Sequence, residues 1–306
     1  MKSLWKGFWQ LADPKIWVAS TIPMFMAFAF TFPERRKNSV LFFLLSIIAI
    51  YLIEIAKNAL NEAVDYLSGA DRLIPPENLT PFSGGKKTIT GGLLTVSESV
   101  IIAVCCYGAA GVLGLLIAFL CDFNVLWIGI LGAGLSILYS LPPFKLCYRG
   151  LGELAVGLTF GPLLVAGVSV VMTGLIDIKA MVCSITLGFF IADVLWINQY
   201  PDYEADKAAG KKNGVVRLGK EKAWIVFAFM FASGYLTMAA GAILIHPAFL
   251  LTLITVPMSV TAVRNARSEY DNIPKLIKSN VLMVKIYQIT GFLMIISSIV
   301  IRLFPL

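Results

Sequence analysis

Asn61 and Asp65 stand four residues apart in "NEAVDYLSGAD", followed by Asp71; Asn198 and Asp202 stand four apart in "NQYPDYEADKAAGKK", followed by Asp206. Residues four apart share one face of a helix, so each stretch presents an amide and a carboxylate together at a helix end. Glu54, Asn58, Asn61 and Asp65 follow one another at helical spacing and carry the first polar stripe inward by about three turns. Gathered at one place, Asp65, Asp71, Asp202 and Asp206 would repel one another unless cations bridged them. Hard oxygen ligands from two facing helices suit Mg2+, which binds through carboxylates and phosphate oxygens. Lys145, Lys211 and Lys212 are placed to meet an anion arriving with the metal. Together these groups fit a diphosphate substrate with a lipid tail: the metal neutralises the departing diphosphate, and apolar helix walls hold the tail and keep water away.

The elements that must position these residues are membrane helices. The chain has 306 residues, 58% hydrophobic and 14% charged, and its mean hydropathy is +0.83. A soluble domain carries about a quarter charged residues. Nine apolar stretches read as spans, near 16–33, 40–60, 96–120, 124–141, 151–174, 179–200, 223–245, 247–264 and 281–303. The sequence thus predicts an all-α protein, one polytopic membrane domain over 1–306, integral to the cell membrane. Residues 1–15, with Trp5, Phe8 and Trp9 among lysines, read as an interfacial segment and not as a cleaved signal.

With the N-terminus in the cytoplasm and the spans alternating, 18 of the 25 Lys and Arg fall in cytoplasmic segments and 5 outside, while Lys57 and Lys285 lie within spans. That bias supports the span count and the orientation, and predicts both acidic helix ends on the cytoplasmic side. It also accounts for the net charge of +7 as a topology signal, with no nucleic acid implied. The cytoplasmic stretches 62–95 and 203–221 are the loops expected to carry function. Pro201 should kink or loosen the sixth span just before Asp202. The five cysteines lack CxxC spacing and read as small packing residues; His246, the single histidine, falls in a short outer loop, so a His/Cys metal site is not available.

The two acidic stretches resemble the Asp-rich motifs of the UbiA superfamily of intramembrane prenyltransferases. "TPFSGGKKTITGG" and "YSLPPFKLCYRGLGELAVGLTFGPLLVAG" look like the corresponding stretches of its 1,4-dihydroxy-2-naphthoate polyprenyltransferase branch, as does the six-residue step from Asp65 to Asp71. The resemblance runs from about residue 13 to 220. It implies nine helices around a central cavity with a cytoplasmic-side active site. It further implies Mg2+-dependent ionisation of a polyprenyl diphosphate, whose allylic cation is attacked by an electron-rich aromatic acceptor. By the same resemblance Asn61, Asp65 and Asp71 form the first metal cluster, and Asn198, Asp202 and Asp206 the second. Lys145 contacts diphosphate, with Tyr139 lining the same pocket, and Arg149 and Glu153 lie towards the acceptor.

The sequence departs from the pattern at Glu54, where many relatives carry an arginine, and Lys57, one turn before Asn61, is placed to substitute for it. It also reads Gly-Gly-Lys in the loop where Gly-Gly-Ser is usual. Lys57, Lys86 and Lys87 are accordingly expected as extra diphosphate contacts. No obligate protein partner is implied. Other acceptors (hydroxybenzoate, homogentisate, a glycerol phosphate lipid) and cyclisation of the prenyl chain stay open. An ion-coupled transporter is the reading from another class. Against it, both clusters sit at the same end of their helices instead of at the membrane midplane, and the repeat is parallel. Of the deep acids, Asp193 is expected to make a buried polar contact between helices. Spans 1, 3 and 4 are expected to line the tail's path, and Gly152, Gly157 and Gly161 to permit close helix approach.

Overall fold

A computed structural model describes residues 2–75, 78 and 80–305; every regular element among them is helical. An amphipathic helix α1 (Lys2–Ala12) is followed by α2 (Val18–Thr31), and the two apolar pieces Leu4–Ile16 and Val18–Glu34 meet at 49°. Then come α3 (Ser39–Ser68), α4 (Val96–Leu120) and α5 (Asn124–Ser140). The next span is composite: α6 (Gly152–Leu158), a π turn over Thr159–Leu163, and α7 (Leu164–Thr173). The remainder is α8 (Ile178–Ala208), the short α9 (Gly214–Leu218), α10 (Lys220–Leu244), a 3-10 stretch Pro247–Thr255 running into α11 (Val256–Ser268), and α12 (Ile273–Leu303).

Seven of these helices are long and apolar enough to cross a bilayer, and the bent pair would make an eighth. The nine expected spans differ from this at two places. The first is the bent pair, and the fourth is α5, whose 17 residues stand at the short limit for crossing. Large apolar side chains such as Val104, Val112, Phe119, Leu236 and Ile243 are exposed on the outer faces, as lipid-facing positions require.

α8 is the axis of the bundle, packing against α2, α6, the π turn, α10 and α12. A helix covered on most sides is apolar around most of its circumference, and Cys183, Leu187, Phe190 and Ile197 are fully buried on it. Its approach to the composite span depends on glycine. A Cβ on Gly161 would stand 2.7 Å from the Ser184 carbonyl oxygen, and one on Gly188 would stand 2.7 Å from that of Gly157. Gly157 and Gly161 thus do what was expected of them, while Pro162, without an N–H, sits in the π turn that interrupts the helix.

Three helices, α3, α8 and α12, outrun the membrane, and two of them bear on the site. At about 1.5 Å per residue, α3 and α8 reach about 45 Å, against a hydrocarbon core of about 30 Å. Their final turns therefore project beyond it, and the stretches taken as loops from 62 and from 203 begin as helix, through Ser68 and Ala208. α3 stops at Gly69, which takes the left-handed conformation (φ 91°) that ends helices. Pro201 lies within α8, which runs on past it to Ala208. A proline deprives the carbonyl four residues earlier of its partner, and here that carbonyl, of Ile197, accepts from Asn280 Nδ2 on α12 at 3.2 Å. The polar contact expected of Asp193 is not found: it is fully buried, and among the described residues neither carboxylate oxygen has a hydrogen-bond partner.

Candidate active site

The projecting ends of α3 and α8 face each other, and the loop from Lys211 closes the space between them. Asp65 is buried on the last turn of α3. Its Oδ1 accepts from the Tyr148 hydroxyl at 2.7 Å, and its Oδ2 accepts from Asn61 Nδ2 at 3.2 Å and from Lys211 Nζ at 3.0 Å. Asn61 Nδ2 also reaches Ser140 Oγ, at 3.2 Å, tying α3 to the end of α5. Lys211 Nζ lies 3.5 Å from Asp206 Oδ1, so one ammonium bridges the two acidic helix ends. Asp206 is completed by Asn213 Nδ2 at 2.7 Å.

The glycine loop covers the cluster. The Gly84 N–H donates to Asp202 Oδ1 at 3.1 Å. Gly85 (φ +59°) passes so close that a Cβ there would stand 2.7 Å from Asp71 Oδ2 and 2.8 Å from Glu62 Oε2. Glu62 holds this loop in place, its buried carboxylate accepting from the N–H groups of Lys86 (2.6 Å), Thr88 (2.6 Å) and Ile89 (3.2 Å). Neither Glu62 nor Tyr148 was singled out from the sequence. Their only signals were an acid beside Asn61 and a tyrosine within the "CYRGLGE" stretch, and neither reveals a partner more than 20 residues away.

Other expected residues are distributed unevenly. Lys145 stands near the cluster in a left-handed turn (φ 43°), its Nζ 4.6 Å over the Tyr148 ring. Lys212 is exposed, and its backbone N–H donates to the Tyr148 carbonyl. Asn198 faces away from the aspartates in its hydrogen bonding, its Oδ1 accepting from Asn280 Nδ2 at 2.8 Å. Lys86 pairs with Asp13 at 2.8 Å, and Lys87 donates to the Thr80 carbonyl. Arg149 is exposed and donates to the Pro143 carbonyl. Glu153 is buried with Gln199 at 2.6 Å, bracing the loop at Gly214.

The electrostatics are those of excess negative charge. Burial pushes the Asp71 carboxyl up to about 8; Asp65 and Glu62 add to this and Lys211 opposes it. Burial works against the Lys211 ammonium, but the Asp65 and Asp206 carboxylates outweigh it and hold its proton well beyond the ordinary lysine range. Among the described residues no three acids, histidines or cysteines stand close enough to enclose an ion, because Lys211 bridges Asp65 and Asp206 and Gly84 covers Asp202. The donor set is nonetheless four carboxylates with amides beside them, and a hard divalent cation fits that chemistry.

A pH dependence follows. Without metal, Asp71 keeps its proton to about pH 8, whereas an unfolded aspartate loses it near pH 4, roughly. The folded state binds the extra proton between those values, so metal-free stability should fall as pH rises through the window. A divalent cation must displace that proton, so its apparent affinity should increase up to about pH 8 and then level. Mg2+-induced shifts in melting temperature, measured from about pH 6 to 9, check this; shifts that ignore pH would contradict it.

Directly inward of the cluster lies a cavity of about 490 Å3. Its walls come from α3, α4, α5 and the composite span, with Ile50, Ile53, Leu126, Phe160 and Leu164 among them. α2 contributes none of the lining, so of the walls expected from spans 1, 3 and 4 only the last two are found there, joined by spans 2 and 5. Lys57 and Tyr139 line the cavity, and among the described residues neither is hydrogen-bonded to the aspartates.

A model of the UbiA prenyltransferase family matches residues 20–282. The 1,4-dihydroxy-2-naphthoate octaprenyltransferase of Bacillus subtilis is 26% identical over 267 residues, 86% of this chain and 83% of that protein. The 2-carboxy-1,4-naphthoquinone phytyltransferase of Synechocystis sp. is 31% identical over 176 residues, 56% of this chain and 57% of that protein. A solved UbiA homolog from Archaeoglobus fulgidus, bound to DMAPP and Mg2+, has a TM-score of 0.66 at 18% identity, covering 94% of this chain and 98% of that one. At that identity the likeness is one of fold. With the family's model covering most of its length, this chain belongs to the UbiA prenyltransferase family.

Proposed function

We propose that the protein transfers a polyprenyl group from polyprenyl diphosphate to 1,4-dihydroxy-2-naphthoate, with Mg2+, as a step of menaquinone biosynthesis. The observation that carries the reading is the pair of acidic helix ends, joined through Lys211, with a largely apolar cavity whose lining begins at Lys57, one turn inward of Asn61. Asp65, Asp71, Asp202 and Asp206 would hold the metal, with Asn61 and Ser140 fixing the Asp65 side. A bound divalent cation supplies charge neutralisation to the departing diphosphate. Lys145, Lys211 and Lys212 meet the diphosphate oxygens. The cavity follows α3 from Lys57 back to Ser46, about 16 Å at helical rise. Its apolar walls take the isoprenoid tail and exclude the water that would quench an allylic cation. The choice of acceptor rests on the relatives named above, and the positive-inside bias supports a cytoplasmic active site.

The test is prenyl transfer by the purified protein in lipid, with Mg2+ and geranylgeranyl diphosphate, offering dihydroxynaphthoate and 4-hydroxybenzoate in parallel, with EDTA controls. Metal-dependent prenylated naphthoquinol is the expected product. Release of diphosphate without prenylation of either ring would reject the acceptor while keeping the enzyme class. No release with any chain length would reject the class.

A further inference from the structure

We propose that Glu54 and Lys57 form the clasp that seats the acceptor ring, taking an aromatic that carries a carboxylate and a hydroxyl; this rests on the transferase reading above. The two are three residues apart on α3, hence on one face about 5–6 Å apart at Cβ, and both line the cavity. Among the described residues the rest of its lining is uncharged and mostly apolar, and charges in such surroundings are costly unless paired and hydrogen-bonded. These two are incompletely paired. Glu54 is 3% exposed; its carboxylate has the Ser20 hydroxyl as a hydrogen-bond neighbour, while its enclosed Oε1 has no partner among the described residues. Lys57 Nζ stands 5.5 Å over the Phe160 ring. Among the described residues no direct salt bridge joins the two side chains, although each is the other's neighbouring charge.

Their height in the bundle selects the ligand. Lys57 lies one turn inward of Asn61, about 6 Å along the axis, and Glu54 about 10 Å. They are therefore set back from the aspartates that would meet the diphosphate, alongside the start of the tail's path, which is where an attacking ring has to lie. The ammonium offers three donors to a carboxylate, and the carboxylate of Glu54, which lines the same cavity, accepts from a hydroxyl. Phe160 beneath Lys57 and Tyr139 on the same cavity offer faces to a planar ring. A phosphate-bearing acceptor would suit this site less well, since the one cation faces a carboxylate three residues away.

The experiment compares Lys57→Met and Glu54→Leu with wild type in lipid nanodiscs, using dihydroxynaphthoate, its analogue lacking the carboxylate (1,4-dihydroxynaphthalene) and its analogue lacking both hydroxyls (2-naphthoate). Acceptor binding is read by calorimetry and acceptor KM by kinetics. Lys57→Met should weaken dihydroxynaphthoate by about tenfold to a hundredfold, as for loss of a charge-assisted hydrogen bond, and leave the decarboxylated analogue unchanged. Glu54→Leu should weaken dihydroxynaphthoate and spare 2-naphthoate. KM for prenyl diphosphate should hold steady, and Lys57→Arg should restore binding. Equal loss for all three acceptors, or a change confined to prenyl diphosphate, would overturn the clasp. Should either variant fail to fold, Lys57→Gln and Glu54→Gln carry the same comparison in milder form. Wild type that prenylates no hydroxyaromatic acid would instead sink the transferase reading itself.

Discussion

Asp202→Asn should abolish diphosphate release and prenyl transfer together, by roughly a hundredfold to a thousandfold or more, while leaving the melting temperature of the metal-free protein nearly unchanged. The two halves of that expectation come from different roles of one side chain. Structurally, Asp202 accepts the Gly84 N–H, and the amide oxygen of asparagine can accept it equally well. The loop over the cluster therefore stays closed. Chemically, asparagine is neutral, and a donor set of four carboxylates loses a quarter of its charge. Mg2+ binds through charged oxygens, so the loss falls on the metal and with it on the departing diphosphate. Diphosphate release and product formation in lipid, with melting curves in EDTA, make the test. Substantial turnover by the variant would remove Asp202 from the metal site.

Lys211→Met should produce the reverse pattern in stability. In this structure the Lys211 side chain is 15% exposed, and its Nζ holds Asp65 at 3.0 Å and Asp206 at 3.5 Å. Removing one partner of a buried ion pair leaves uncompensated charge and costs about 3–5 kcal/mol. The variant should accordingly melt well below wild type in EDTA, and Mg2+ should recover more of the loss than it adds to wild type, because the ion then replaces the missing ammonium. Activity should fall as well, since the same lysine is placed to meet the diphosphate. Equal melting of variant and wild type in EDTA would show that the carboxylates do not depend on Lys211.

Between them these expectations separate two functions that the cluster combines. In the metal-free protein, Lys211 and the Gly84 amide bridge and cap carboxylates that would otherwise repel. Glu62 matters to the second of these, since its carboxylate gathers the loop amides of Lys86, Thr88 and Ile89 and so holds Gly84 over Asp202. The glycine at 85 is required by space as well as conformation, because any side chain there would strike Asp71 and Glu62.

The sequence by itself determined the fold class and the two acidic helix ends. Runs of apolar residues with few charges have one stable arrangement in lipid, since helices alone satisfy every backbone group within a segment. The four-residue spacing of Asn61 with Asp65, and of Asn198 with Asp202, assigns a face within each helix from geometry alone. Where that face points was decided only by the tertiary structure. Asn198 shares the spacing of Asn61, yet it binds Asn280, because α12 happens to lie against that side of α8. Lys211 and Lys212 are equivalent in sequence, but the turn after α8 buries one among aspartates and leaves the other exposed. The cavity walls could not be read either: periodicity gives each helix an inner face but not its neighbours, and α2 packs on α7 and α12 away from the cavity. Glu62, Tyr148 and the Gly84 cap became visible only with the loops folded back, since their partners are brought close by packing and not by spacing along the chain.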